Sequence, residues 1–532
     1  MRDNENFRFG SAGFETRQPY KKAGYFKRTE LGLQLGYWHQ TPIYSDSDGP
    51  ILLLAGAGAG KLRDVLGYIS CCYPGPVLEL DLKRELSAIG IHNQVRFGKA
   101  HYVFDPHSAN GCVINPLDLL KADAPTFHSD CKTVAADMIT FSGAANAEYF
   151  EERARTRVEA IMKWMVEALG STSFPELYSL FNLPDVDPGK WGQVLGLMAS
   201  SAFEDVRQEA GEMKRTADTK EHQYIQGEIK KSFSFMSDPA LQRALGPKAD
   251  VSLEALCDDR QTVRISLCVS PEHVQPWSAA LRSMFNVTMI YKSRHPASRR
   301  VVLLVDEAAQ LGHFEGLKRA YAYGRGVGLR AFAVFQDTGQ IATNFGRDAV
   351  PGFFGNAETR LIFGVRDEDT ARSVSHLLGA QTLEYDDLQA QAEARRAKNQ
   401  AVLALFHGDG DRVQKAMEVR HFNALSRHRS KQYRQLMTPD EILNMGSGKM
   451  LLFIDGMRPA LVDRYPYWTR CEMAGQFMPN PYHPPLDRVA VQTRFGSRTF
   501  PVITETAPDQ VAHLPQYAGG TWSYVKGYRP KI

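Results

Sequence analysis

The sequence predicts an α/β fold: a mainly parallel sheet interrupted by an all-α insertion. Three observations lead there. Residues 51–69, ILLLAGAGAGKLRDVLGYI, pass from an apolar run through a glycine-rich turn to Lys61 and a helical pattern. A second apolar run, VVLLV, ends in Asp306 and Glu307. Between these two stretches, residues 127–245 lose the strand pattern and read as helices.

The elements follow in order. The opening MRDNENFRFGSAGFETRQPYKKAGYFKR is polar, unlike a signal peptide or an anchor. No uninterrupted apolar run reaches the roughly 18 residues of a membrane span, so no transmembrane helix is predicted. From residue 50, PILLLA, GPVLELDLKREL and AHYVFDP read as strands separated by helix-length segments, the pattern of a parallel sheet. In the insertion, Phe150, Ala154, Val158, Ile161, Met162, Met165 and Leu169 recur at helical spacing. Strand patterning returns with QTVRISLCVS, RRVVLLVDEAAQLG, LRAFAVFQD, TRLIFGV, QAVLALFHG and KMLLFIDG. HFEGLKRAYAYGRG and EDTARSVSHLLG read as helices among them. The Pro-, Tyr- and Gly-rich stretch after residue 476 reads as an extended tail.

Bulk properties narrow the class. With 532 residues the chain is too long for one simple core. A hydrophobic content of 43% and a charged content of 23% are those of a soluble globular protein. A net charge of +3 gives no global field, so a nucleic-acid partner requires a local basic patch. Cys71, Cys72, Cys112, Cys131, Cys257, Cys268 and Cys471 include no pair at metal-ligand spacing and read as reduced thiols of a cytosolic protein.

The glycine turn departs from the phosphate-loop pattern G-x-x-x-x-G-K-[ST] at both ends. Ala55 replaces the first glycine, and Leu62 replaces the hydroxyl residue that would bind Mg²⁺. Alone, this stretch could be a tight turn beside a solvated lysine, and Asp306-Glu307 a strand end with solvated acids. Together they point to a nucleotide site. Backbone N–H groups of Gly56, Ala57, Gly58, Ala59, Gly60, Lys61 and Leu62 would ring the phosphates, and Lys61 would neutralise them. Asp306 would hold Mg²⁺ and Glu307 would polarise the attacking water of ATP hydrolysis. Arg325, in a Gly-flanked loop, and Gln336, ending an apolar run, read by composition as a solvated charge and a capped strand end.

Beyond these motifs the chain resembles the type IV coupling proteins of conjugation and type IV secretion (TraG/TraD/TrwB-like) over residues 9–475. The likeness rests on FGSAGF, KAGYFKRTELGLQLGYW, YPGPVLELDLKREL, HYVFDP, CVINPLDLL, VVLLVDEAAQLGHFEGLKRAYAYGRGVGLRAFAVFQD, FGNAETRLIFGVRDEDTARSVSHLLG and LMTPDEILNM, in the family's order. The resemblance implies a RecA-like P-loop NTPase domain (50–126 and 246–475) preceded by a leader (1–49). It further implies an inserted all-α domain (127–245) that contributes to cargo recognition, and leaves the tail (476–532) outside the likeness. It implies a homo-hexamer driven by ATP and Mg²⁺ that delivers relaxase-bound single-stranded DNA or protein substrates to a secretion channel. Its place would be cytoplasmic, peripheral at the inner membrane of a bacterium, docked on membrane-embedded secretion components. Residue by residue, Lys61 matches the Walker A lysine, Asp306 the Walker B aspartate and Glu307 the catalytic glutamate. Arg325 matches an arginine that reaches the neighbouring subunit, and Gln336 the sensor glutamine. The sequence departs from the family in lacking transmembrane helices before GSA and in Leu62. Leu62 and Ala55 keep a second reading open: a weakly hydrolytic or inactive paralogue serving as a substrate-binding adaptor.

Overall fold

The computed structural model describes residues 8–91, 96–139, 147–407, 411–427, 429–480, 487–493 and 495–529. Contacts divide the chain into two units. One comprises Met1–Thr16, Val365–Gly446 and Met457–Ala460; the other comprises Arg17–Gly364, Ser447–Gly456 and Leu461–Ile532.

The larger unit is built on one sheet. Its strands begin with β1 (Leu33–Trp38), β2 (Thr41–Ser45), β3 (Ile51–Ala55), β4 (Val77–Leu80) and β5 (Ala100–Phe104). They continue with β6 (Val263–Leu267), β7 (Val301–Val305), β8 (Leu329–Phe335) and β9 (Thr359–Phe363). The smaller unit interposes β10 (Ala380–Tyr385) and β11 (Ser430–Gln435) before β12 (Lys449–Ile454) and β13 (Ala460–Asp463) return to the sheet. The order is β2-β1-β13-β12-β9-β3-β8-β7-β4-β6-β5. From β9 to β5 every neighbouring pair is parallel. Every residue of β3, β4, β6, β7 and β8 is buried, as expected of a sheet covered on both faces. The segment before residue 50 adds β1 and β2, paired antiparallel, at one edge.

The insertion is helical among its described residues. Helices Phe127–Met138, Glu148–Leu169, Phe174–Val186, Pro188–Met198, Glu204–Thr216 and Lys220–Ser232 follow one another before β6. Ala154, Val158, Ile161, Met162 and Met165 are buried, whereas Leu169 is exposed at the helix end, where Gly170 adopts φ +80°. A left-handed glycine is a common helix stop, and here it ends the helix directly after Leu169.

In two places the structure corrects the sequence reading. QAVLALFHG, read as a strand, belongs through His407 to the helix Leu388–His407; Gly408 lies outside the described residues. A short apolar run does not distinguish strand from helix, and the helix formers of QAQAEARRAKN before it decide the matter. The helix packs along Arg412–Leu425, both lying between the antiparallel strands β10 and β11. Residues 476–532, read as an extended tail, instead carry β14 (Arg488–Thr493), β15 (Gly496–Thr506) and β16 (Thr521–Val525) in an antiparallel sheet. Alternate residues of β14 are buried, Val489 and Val491 joining Val525, Tyr37, Tyr68, Cys71 and Tyr467 in one apolar cluster. Among the described residues, Pro508, Pro515, Gly519 and Gly520 lie in the connection between β15 and β16.

Candidate nucleotide-binding site

Strands β3, β7, β8 and β9 run parallel, so Lys61, Asp306, Gln336 and Gly364 all emerge at the same edge of the sheet. In open α/β sheets that carboxyl edge is where ligands bind. The turn after β3 is fixed by Gly56 N–H donating to the Gly364 carbonyl (3.2 Å) and Ala59 N–H donating to the Gly56 carbonyl (3.1 Å). Gly58 and Gly60 adopt φ +69° and +93°, which side chains disfavour. A Cβ on Gly60 would lie 2.6 Å from Arg63 Nε. Among the described residues, the amides of Ala57, Gly58 and Gly60 meet no protein acceptor. Such a run of open donors is suited to an anion.

The lysine and both acids converge. Lys61 Nζ lies 3.0 Å from Asp306 Oδ1 and 2.9 Å from Glu307 Oε1. Burial pulls the Lys61 pKa down, but the two carboxylates outweigh it and hold the ammonium above its ordinary value. Burial raises Asp306, with Lys61 opposing it. Glu307 sits at φ +53°, ψ +53°, a left-handed conformation costing a non-glycine residue about 1–2 kcal/mol. It leads into the short 3₁₀ turn Ala308–Leu311.

The donors for Mg²⁺ are few. Asp306 is buried and its Oδ1 is taken up by Lys61 Nζ at 3.0 Å, so this oxygen is open to a metal only once the lysine turns to phosphate. Position 62 offers no side-chain oxygen, and the Leu62 side chain packs on the apolar cluster that includes Tyr68 and Val489. Mg²⁺ takes oxygen ligands and keeps waters. The donor set therefore fits an ion held mainly by phosphate and water, with Asp306 in support. Among the described residues no group of three His, Cys, Asp or Glu could form a protein cage.

Gln336 follows Phe335, which pairs with Leu54 one step short of Ala55, so it stands beside the start of the loop. Its N–H donates to Gln340 Oε1 (2.9 Å). Arg325 lies elsewhere. It occupies the short turn Gly324–Val327 before β8, at the opposite edge of the sheet, where it is 68% exposed and pairs with Glu358 at 3.1 Å. Within one chain it does not approach Lys61.

Sequence reasoning missed Arg464. Its Nη1 donates to the Ala59 carbonyl (2.7 Å) and pairs with the Asp64 carboxylate, which also accepts from Arg63 Nε at 2.7 Å. Arg464 stacks 4.2 Å from the Phe363 ring and is buried, as is Asp64. The clamp joins residues 400 positions apart, and the one local signal was a charged Asp64 in the helix that follows the loop.

A parallel sheet with this loop, lysine and acid pair at its carboxyl edge defines a nucleotide-binding fold of the P-loop kind. The family model "Type IV secretory system Conjugative DNA transfer" matches residues 7–403 and 412–497, and the chain belongs to that family. It is 23% identical to the conjugal transfer protein TraG of Agrobacterium fabrum across 81% of this chain, and 23% identical to the protein VirD4 of Rhizobium rhizogenes across 70%. The chain spans 62% and 57% of those proteins' lengths. The bacterial conjugative coupling protein TrwBdeltaN70 in its unbound form superposes with a TM-score of 0.60 at 15% identity, over 86% of this chain and 97% of that one. TrwB in complex with ADP and Mg²⁺ gives 0.58 at 15% identity, over 86% and 96%. At such identity the likeness is one of fold. No described helix is long and apolar enough to cross a membrane.

Proposed function

We propose that the chain is an ATP-driven coupling motor that delivers relaxase-bound single-stranded DNA or protein substrates to a type IV secretion channel. The observation that carries this reading is the convergence of Lys61 with Asp306 and Glu307 beside a loop of open backbone donors. Lys61 would leave the acids for the triphosphate, and the loop amides would hold the phosphate oxygens. Glu307, released, would orient the attacking water, with Gln336 on the intervening strand facing the terminal phosphate. Bound Mg²⁺, supported by Asp306, would supply charge neutralisation on the phosphates. Arg325, remote from its own chain's loop, would serve the loop of a neighbouring copy in a homo-hexamer. Family membership supports single-stranded DNA as cargo, the helical insertion as a cargo-recognition element and inner-membrane secretion components as docking partners.

Steady-state ATP turnover of the purified chain, with and without single-stranded DNA, tests this reading. Wild type should turn over ATP faster with DNA, and Lys61→Ala should lose nucleotide binding and turnover together. Turnover equal in the two proteins would overturn it. The adaptor reading has its own support in the missing oxygen at position 62. It predicts nucleotide binding without turnover in the same assay.

A further inference from the structure

Away from the nucleotide site, a cavity of about 580 Å³ opens among the helices Phe127–Met138, Glu148–Leu169 and Ser278–Arg294 and the segment that follows the acid pair. Lys132, Arg155, Arg282 and Arg319 line it, with His313 at its side, against the carboxylates of Asp137 and Glu315. Glu315 is partly engaged already, its Oε2 lying 3.0 Å from Lys318 Nζ and 3.6 Å from His313 Nε2. Arg282 is only 9% exposed, yet its Nη1 is held by the Leu311 carbonyl (2.8 Å) and the Ser278 hydroxyl (3.1 Å), dipoles and not charges. Arg155 Nε donates to the Ile139 carbonyl at 2.7 Å, and its Nη1 lies 3.7 Å from Glu152 Oε2. Arg319 comes no nearer than 4.0 Å to Asp137. Lys132 forms no ion pair among the described residues. The cations run from a buried floor at Arg282 to a half-exposed rim at Arg319 and an exposed one at Lys132, a track leading outward.

We propose that this cavity binds consecutive phosphate groups of a single nucleic-acid strand. Three guanidinium forks and an ammonium gathered in one hollow call for closely spaced anions with several acceptor oxygens, which successive phosphodiesters carry. A hollow of this volume admits a strand's phosphates and sugars but not a duplex. The choice of a strand rests on the nucleic-acid cargo proposed above. Binding itself requires no nucleotide at Lys61, so it is measured without ATP, and its failure leaves the hydrolysis reading untouched.

The test is fluorescence anisotropy of a fluorescein-labelled oligothymidylate titrated with the full chain over a range of salt. The double variant Lys132→Glu/Arg319→Glu should bind at least about tenfold more weakly. Its dependence of log affinity on log salt should fall by about 1.4, since each lost single-strand phosphate contact removes about 0.7. Its far-ultraviolet circular dichroism should match wild type, showing that the fold is kept, although its melting point falls because Arg319 no longer offsets the charge of Asp137. Lys21→Glu/Lys22→Glu, an equal charge change outside the cavity, should bind as wild type does. Inorganic tripolyphosphate should compete weakly. If it competes as well as the oligonucleotide at equal phosphate, the site takes free polyphosphate and the strand assignment falls. Equal competition by polyglutamate overturns phosphate recognition. Unchanged binding by the rim variant, or equal weakening by the control, overturns the site.

Discussion

Asp137 shows how much one half-buried carboxyl can do. Burial pushes it up to about 6 against the pull of Arg319, Arg282 and Arg155 and a hydrogen bond from Asn286. The fold thus holds its proton more tightly than the unfolded chain, whose carboxyl releases it near the ordinary 3.8. The associated stability is fully present below the unfolded value and is lost as pH rises through about 6. Asp137→Asn removes that dependence. In phosphate-free buffer, the variant's stability relative to wild type should rise between pH 4 and 7 by up to about 3 kcal/mol, measured by urea unfolding. Glu307 is constrained through its backbone, its left-handed φ holding it beside Lys61. Glu307→Gln should retain binding of an ATP analogue while turnover drops by about 10²–10⁴-fold, and unchanged turnover would mark Glu307 as a mere strand end.

At the scale of elements, Leu62 is explained by what surrounds its helix. Its side chain lies on the cluster that receives Val489 and Val491 from β14 and Val525 from β16. An apolar residue at this position serves packing where a hydroxyl would serve the metal. Leu62→Thr should therefore raise turnover by about tenfold, a barrier change of about 1.4 kcal/mol. It should also lower stability by about 1–2 kcal/mol, read from the urea midpoint. A gain in turnover without the loss would show that the packing is immaterial. This exchange was legible only in half. The loop, the acids and the strands carrying them could be read because each is continuous in sequence and the strands are buried on both faces. The partners of Leu62 and the Arg464 clamp could not, since they come from the far end of the chain and leave no local pattern. QAVLALFHG misled for the opposite reason, an apolar run whose exposed Leu403 and Phe406 belong to a helix.

For the whole molecule, the parallel sheet sets where its two ends can act. Lys61, the acid pair and Gln336 share one edge, and Arg325 stands at the other with Glu358. If the arginine completes a neighbour's site, Lys61→Ala and Arg325→Ala should each be nearly inactive alone. Mixed under exchange conditions they should regain turnover, because some interfaces then pair an intact lysine with an intact arginine. No recovery would count against a shared site. The same polarity has a consequence in counting. Copies joined head to tail through unlike surfaces leave one unsatisfied face at each end until they close. An open row of n chains would complete n − 1 sites, whereas a closed ring completes n. Closure itself would then act as the last activating event, and turnover per chain would climb with protein concentration until no free end remained.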